Sequence, residues 1–147
     1  MKHLLEQFFS SPAYAVVGVS DNREKYGNIV FRYLRDKNFP VYPVNPKLAE
    51  VEGDVCYGRV SELPDNVKSI VLVVPPQTTE QIVQECKAQG ITAVWMQPGA
   101  ESSGAIRQAE GNGITVIHDA CVMVLLAGVS DFSALKSWLT SLGTSYT

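Results

Sequence analysis

The chain has 147 residues, of which 46% are hydrophobic and 18% charged, a composition that builds an ordinary globular core and excludes a disordered or low-complexity scaffold. Its formal net charge of -3 supplies no basic face for DNA or RNA. The longest apolar stretches, Ile70 to Val74 and Val122 to Val129, fall short of the roughly 20 residues that a membrane helix needs, and Met1 to Ser11 lacks the apolar middle of a secretory signal. A cytosolic location with no membrane span is therefore expected.

Met1 to Phe9 has the spacing of a leading helix. Valine- and isoleucine-rich runs then recur at Tyr14 to Val17, Val41 to Val44, Ser69 to Val74, Thr92 to Trp95 and Thr115 to Ile117, and they read as strands. They are nearly continuous rather than alternating, as in parallel strands covered by helices on both faces. Helical spacing fills the gaps, with Ile29, Tyr33 and Leu34 before Asn38, and Ile82, Val83 and Cys86 before Gly90. Gly90 and Gly113 stand where a left-handed residue stops a helix. Pro46 to Pro64 is less regular, with room for a short strand at Val55 to Tyr57, and Asp131 to Leu142 reads as a closing helix capped by Asp131 or Ser130. The alternation predicts an α/β fold, a Rossmann-like, doubly wound and mostly parallel sheet of about five strands with helices on both faces. No linker or composition shift divides residues 1–147, so one domain is expected.

The chemistry-bearing residues cluster just after the strands. Gly18-Val19-Ser20 ends the first, followed by Lys25 and Tyr26-Gly27-Asn28 at a helix start. A glycine, a hydroxyl, an ammonium and free N–H groups together suit a phosphate, although the same residues also make a plain tight turn with a solvated lysine. Neither the G-x-G-x-x-G fingerprint nor the G-x-x-x-x-G-K-[ST] loop is present. Asn45-Pro46-Lys47 ends the second strand, 27 residues after Gly18. An acidic residue there would favour the ribose of NAD, whereas a neutral Asn45 and a cationic Lys47 favour a phosphorylated ribose; the dipeptide also simply ends a strand.

Val74-Pro75-Pro76 ends the third strand and forms a stiff wall without backbone donors at the prolines. The fourth supplies Trp95, read as core, and then Gln97 and Glu101, which have no evident packing reason and suit the far side of a cleft. His118, Asp119 and Cys121 follow the fifth. A nucleophilic cysteine is conceivable there, but alternation on an extended chain and the apolar Val122, Met123 and Val124 favour an inert buried thiol. Cys56, Cys86 and Cys121 form no Cys-x-x-Cys pair, so reduced thiols and no structural metal are expected.

Taken in order, Val16-Val17-Gly18-Val19-Ser20, Lys25-Tyr26-Gly27, Tyr42-Pro43-Val44-Asn45-Pro46, Val74-Pro75-Pro76 and Val94-Trp95-Met96-Gln97-Pro98-Gly99 resemble the small bacterial and archaeal coenzyme A-binding proteins. These are related to the amino-terminal CoA domain of the succinyl-CoA synthetase alpha subunit. The resemblance covers nearly the whole chain. It implies that CoA phosphates and adenosine are held at Gly18, Ser20, Asn45, Pro46 and Lys47, and that Val74 and Pro75 contact adenine or pantetheine. Lys25, Tyr26 and Gly27 match the small proteins rather than the synthetases. The synthetase subunit continues into a domain with a phosphorylated histidine; His118 does not occupy that motif, and ligase chemistry by this chain alone is not expected.

The expected function is binding of coenzyme A or an acyl-CoA without independent catalysis, with no nucleic acid or membrane partner and no protein partner specified. Two alternatives stay open. One is an enzyme or enzyme subunit acting on CoA thioesters or thiols through Cys121, and the other is an NADP- or FAD-binding redox sensor.

Overall fold

A computed structural model describes residues 1–145, with side chains through Leu142. Five strands form one parallel sheet: β1 (Ala13–Val17), β2 (Val41–Val44), β5 (Val67–Leu72), β6 (Ala93–Met96) and β7 (Thr115–Ile117), in the order β2-β1-β5-β6-β7. The order reverses between β1 and β5. This is the doubly wound, Rossmann-like arrangement, in which ligands generally bind beyond the carboxyl ends of the strands where the order reverses.

Strand periodicity sorts the core into two layers. Tyr14, Val16, Val71, Trp95 and Ile117 face one side, where they meet α1 (Lys2–Phe8), α2 (Tyr26–Asp36), α5 (Val122–Leu125) and α6 (Leu135–Ser145). Ala15, Val17, Ile70, Leu72, Val94 and Met96 face the other, under α3 (Pro76–Gln89) and α4 (Ser103–Gly111). Both faces being covered explains the unbroken apolar runs. Trp95 is fully buried, as its sequence context indicates, and its indole N–H donates to the Ala120 carbonyl at 2.8 Å. Ser69, a polar residue in β5, is satisfied by donating to the Phe8 carbonyl at 2.6 Å, which pins α1 to the sheet.

Three expectations change. The third strand of the sheet stops at Leu72, so Val73 and Val74 belong to the turn that follows it. The irregular segment holds a two-residue hairpin, β3 (Glu50–Val51) with β4 (Asp54–Val55), and Tyr57 makes only an isolated bridge to Val44. The hairpin turns at Glu52 and Gly53, both left-handed, which no apolar periodicity reports. The closing helix begins as a 3-10 turn at Phe132–Ala134, preceded by Asp131, whose carboxylate accepts from the Ser133 hydroxyl at 2.5 Å. Gly90 and Gly113 are left-handed helix stops, at φ 85° and 78°. No single helix among the described residues is long and apolar enough to cross a membrane.

Candidate functional site at the carboxyl edge of the sheet

Every loop at this edge leans on the turn between β1 and α2. Gly18 has φ 101°, and a Cβ there would run into the Val73 carbonyl and the Val74 side chain, so the β1 and β5 turns are in direct contact. A Cβ on Gly27 would strike the Gly18 carbonyl, and α2 therefore starts directly against the end of β1. Asn45 joins the β2 loop to the same turn. Its Nδ2 donates to the Val19 carbonyl at 2.9 Å while its Oδ1 accepts from the Lys47 N–H at 2.8 Å, an Asx turn that fixes Pro46 and Lys47 at the surface.

Ser20 is part of the turn's own scaffold, accepting from the Asn22 N–H at 3.0 Å through Oγ and from Asn28 Nδ2 at 2.7 Å through its carbonyl. Asn28 is fully buried and also donates to Glu52 at 3.2 Å. Glu52 takes a further hydrogen bond from Arg23 at 3.1 Å, so the hairpin clasps the β1–α2 loop from outside. The Asn28 hydrogen bond, with Arg23 and Arg32 adding to it against desolvation, holds the Glu52 carboxyl below its usual range. This clasp escaped the sequence reading because Glu52 acts through a two-residue hairpin with no apolar pattern.

Helix α2 begins at Tyr26, after Lys25 at the cap position, without a side-chain cap and without an acidic residue in its first turn. Its first N–H groups and the positive end of its dipole, with Lys25 exposed beside them, leave an anion-compatible corner next to Gly18 and Gly27. Across the sheet reversal, Val73, Val74 and Pro75 line an open pocket of about 270 Å³ with Pro98, Gly99 and Ala100.

On the opposite flank, Tyr26, Gln97 and Cys121 come together from three loops. Gln97 is fully buried. Its Oε1 accepts from the Val122 N–H at 2.8 Å, and its Nε2 donates to the Tyr26 hydroxyl at 2.8 Å and lies 3.5 Å from Cys121 Sγ. Tyr26 Oη lies 3.0 Å from the same sulfur. Gln97 thus has a packing reason that the sequence did not disclose, whereas Glu101 only accepts from the Gly99 N–H at 2.9 Å within its own loop.

Cys121 is partly exposed, not the inert buried thiol expected from its apolar neighbours. Desolvation opposes its ionisation, but hydrogen bonds from Tyr26, Gln97 and the Val124 and Met123 backbone outweigh it and hold the thiol below its ordinary value. Desolvation and the Cys121 sulfur push the Tyr26 phenol up to about 12. His118 and Asp119 contact each other, Nδ1 to Oδ2 at 2.7 Å, because Asp119 at φ 60° interrupts the extended alternation that would have separated them.

Residues 12–127 match the family model described as the CoA binding domain. The chain belongs to this CoA-binding family. It is 31% identical over 128 residues to an ADP-forming acetate–CoA ligase of Archaeoglobus fulgidus, covering 80% of this chain and 19% of the ligase. It is 32% identical over 133 residues to the alpha subunit of an ADP-forming acetate–CoA ligase of Pyrococcus furiosus, covering 83% and 29%. The chain therefore spans less than a third of either ligase protein. Among solved structures it is similar to a conserved hypothetical protein of Pyrococcus furiosus, with TM-score 0.74 and 44% identity over 77% of this chain and 97% of that one. A hypothetical protein of Pyrococcus horikoshii superimposes with TM-score 0.81 and 30% identity, covering 88% and 92%. The CoA-binding domain thus has relatives both within ligases and in short proteins of about this chain's length.

Proposed function

We propose that this CoA-binding domain binds coenzyme A or an acyl-CoA in the crevice beyond β1 and β5. In this reading the phosphates sit against Gly18, Ser20 and the α2 start at Lys25, Tyr26 and Gly27. Asn45, Pro46 and Lys47 hold the adenosine end with its ribose phosphate. Val74 and Pro75 give the wall for adenine or pantetheine, and Gln97 lies toward the thiol end. The observation that carries the reading is the contact of Gly18 with Val73 and of Gly27 with Gly18, which lets backbone rather than side chain face a phosphate beside an uncapped helix start.

The charge pattern supports the same ligand. No acidic side chain replaces Asn45, and Lys25 and Lys47 add positive charge to a chain that is negative as a whole. The test is calorimetric titration of CoA against the wild type, Lys47→Ala and Lys25→Ala. Each variant should bind CoA about five- to tenfold more weakly if its ammonium pairs with a phosphate, and the loss should shrink as salt is raised. Unchanged affinity in both would remove the phosphate assignment.

A further inference from the structure

The three cysteines sit in different chemical surroundings. Cys56 and Cys86 are buried, and burial pushes both thiols up, Cys86 to about 12. Cys121 is partly exposed and its sulfur faces two side chains from other loops, Tyr26 and Gln97. The Gln97 amide has no freedom to turn away, because its carbonyl end is held by the Val122 N–H inside the core.

The geometry selects a chemistry. The Tyr26 hydroxyl, the Gln97 amide and the adjoining backbone converge on the sulfur itself, where they stabilise a thiolate. Attack on a disulfide needs such a thiolate, whereas acyl transfer needs donors aimed at a carbonyl oxygen. A second observation, independent of the cluster, points to the co-reactant: residues 12–127, which contain Tyr26, Gln97 and Cys121, belong to a family whose ligand ends in a thiol.

We propose that Cys121 is a mixed-disulfide site for coenzyme A, with CoA disulfide as the co-reactant and Tyr26 and Gln97 as the groups that position and activate the sulfur. The Cys121 thiolate attacks one sulfur of CoA disulfide, a bond forms between Sγ and that sulfur, and the original S–S bond breaks. The departing CoA thiolate takes the electron pair and a proton from solvent. Cys121 is oxidised, one CoA is released reduced, and excess low-molecular-weight thiol reverses the step. The site then carries CoA covalently in oxidising conditions and exchangeably in reducing ones. This rests on the proposed CoA reading of the same crevice.

The experiment incubates the full chain with CoA disulfide or with glutathione disulfide, reads adducts by intact mass and peptide mapping, and records the melting shift with reduced CoA in parallel. One CoA per chain is expected on the Cys121 peptide, released by dithiothreitol and absent in Cys121→Ser. It should form about tenfold or more faster than the glutathione adduct, because binding holds the disulfide at the sulfur. Tyr26→Phe should displace the rate–pH profile to higher pH, which a merely structural role for the phenol would not do. Cys121→Ser should keep the far-ultraviolet circular dichroism of the wild type, showing that its lost adduct is not unfolding. A CoA melting shift without an adduct, or with the adduct on Cys56 or Cys86, overturns the thiol site and leaves the binding reading standing. Equal rates with both disulfides overturn it as well, and the absence of a CoA melting shift then takes the binding reading down with it.

Discussion

Tyr26 and Cys121 are 95 residues apart in sequence, yet the phenol oxygen and the sulfur lie 3.0 Å apart. The contact joins the start of α2 to the start of α5 over the carboxyl edge of the sheet, and Gln97 at the end of β6 is hydrogen-bonded to both residues it connects. It makes the sulfur more acidic and the phenol less so.

The sign of that coupling predicts a pH effect. The thiol is depressed in the folded chain from an ordinary value near 9.0, so ionisation favours folding. The contribution grows as pH rises through the folded value, is complete above the unfolded one, and is lost as pH falls. Melting temperatures of the wild type relative to Cys121→Ser should therefore increase from pH 7 to pH 9. A constant difference across that range would mean that the thiol is not depressed.

Gln97→Leu keeps the side chain's bulk but leaves the buried Val122 N–H without its acceptor. A loss of about 2 kcal/mol is expected, read by urea denaturation, because an unpaired buried donor bears its full desolvation cost. Iodoacetamide should also alkylate Cys121 in this variant with a profile moved to higher pH. A variant as stable as wild type would show that Val122 finds another partner.

Gly27→Ala places a methyl group against the Gly18 carbonyl, where backbone must yield. About 3 kcal/mol of destabilisation is expected. CoA affinity should fall in the same variant under conditions where it remains folded, as shown by circular dichroism, since the turn opens at the proposed phosphate corner.

Tyr14 in β1 is 1% exposed, and its hydroxyl has no hydrogen-bond partner among the described residues. Its ring is packed against Phe8, Phe9, Phe39 and Phe132. Tyr14→Phe keeps those contacts and removes the unpaired group, so stability should rise by about 1 kcal/mol. A loss of stability on denaturation would reveal that the hydroxyl is paired in solution.

The fold was legible because the central strands β1, β5 and β6 are buried on both faces and therefore written as apolar runs, with Gly90 and Gly113 punctuating the helices. The edge that gathers Gly18, Asn45 and Val74 could be anticipated from strand ends alone. What escaped was decided by backbone turns and long-range side-chain pairing. Asp119 at φ 60° changes which neighbours touch, Glu52 reaches Asn28 through a hairpin, and the fate of Cys121 depends on Tyr26 and Gln97, neither of which is near it in sequence. The apolar residues after Cys121 suggested burial, but of Val122, Met123 and Val124 only Val122 is buried, Val124 is 75% exposed, and the Cys121 sulfur is itself partly exposed at the edge.

The central claim is that the crevice beyond β1 and β5 takes CoA. It is tested most directly by the melting temperature of the purified chain with CoA, acetyl-CoA, NAD, NADP, ATP and FAD at matched concentrations. A ligand present at a hundred times its dissociation constant adds about 2.7 kcal/mol to stability, enough for a clear shift. The account predicts a shift with CoA and acetyl-CoA and a smaller or absent one with the rest. A shift with NADP or FAD and none with CoA would contradict it.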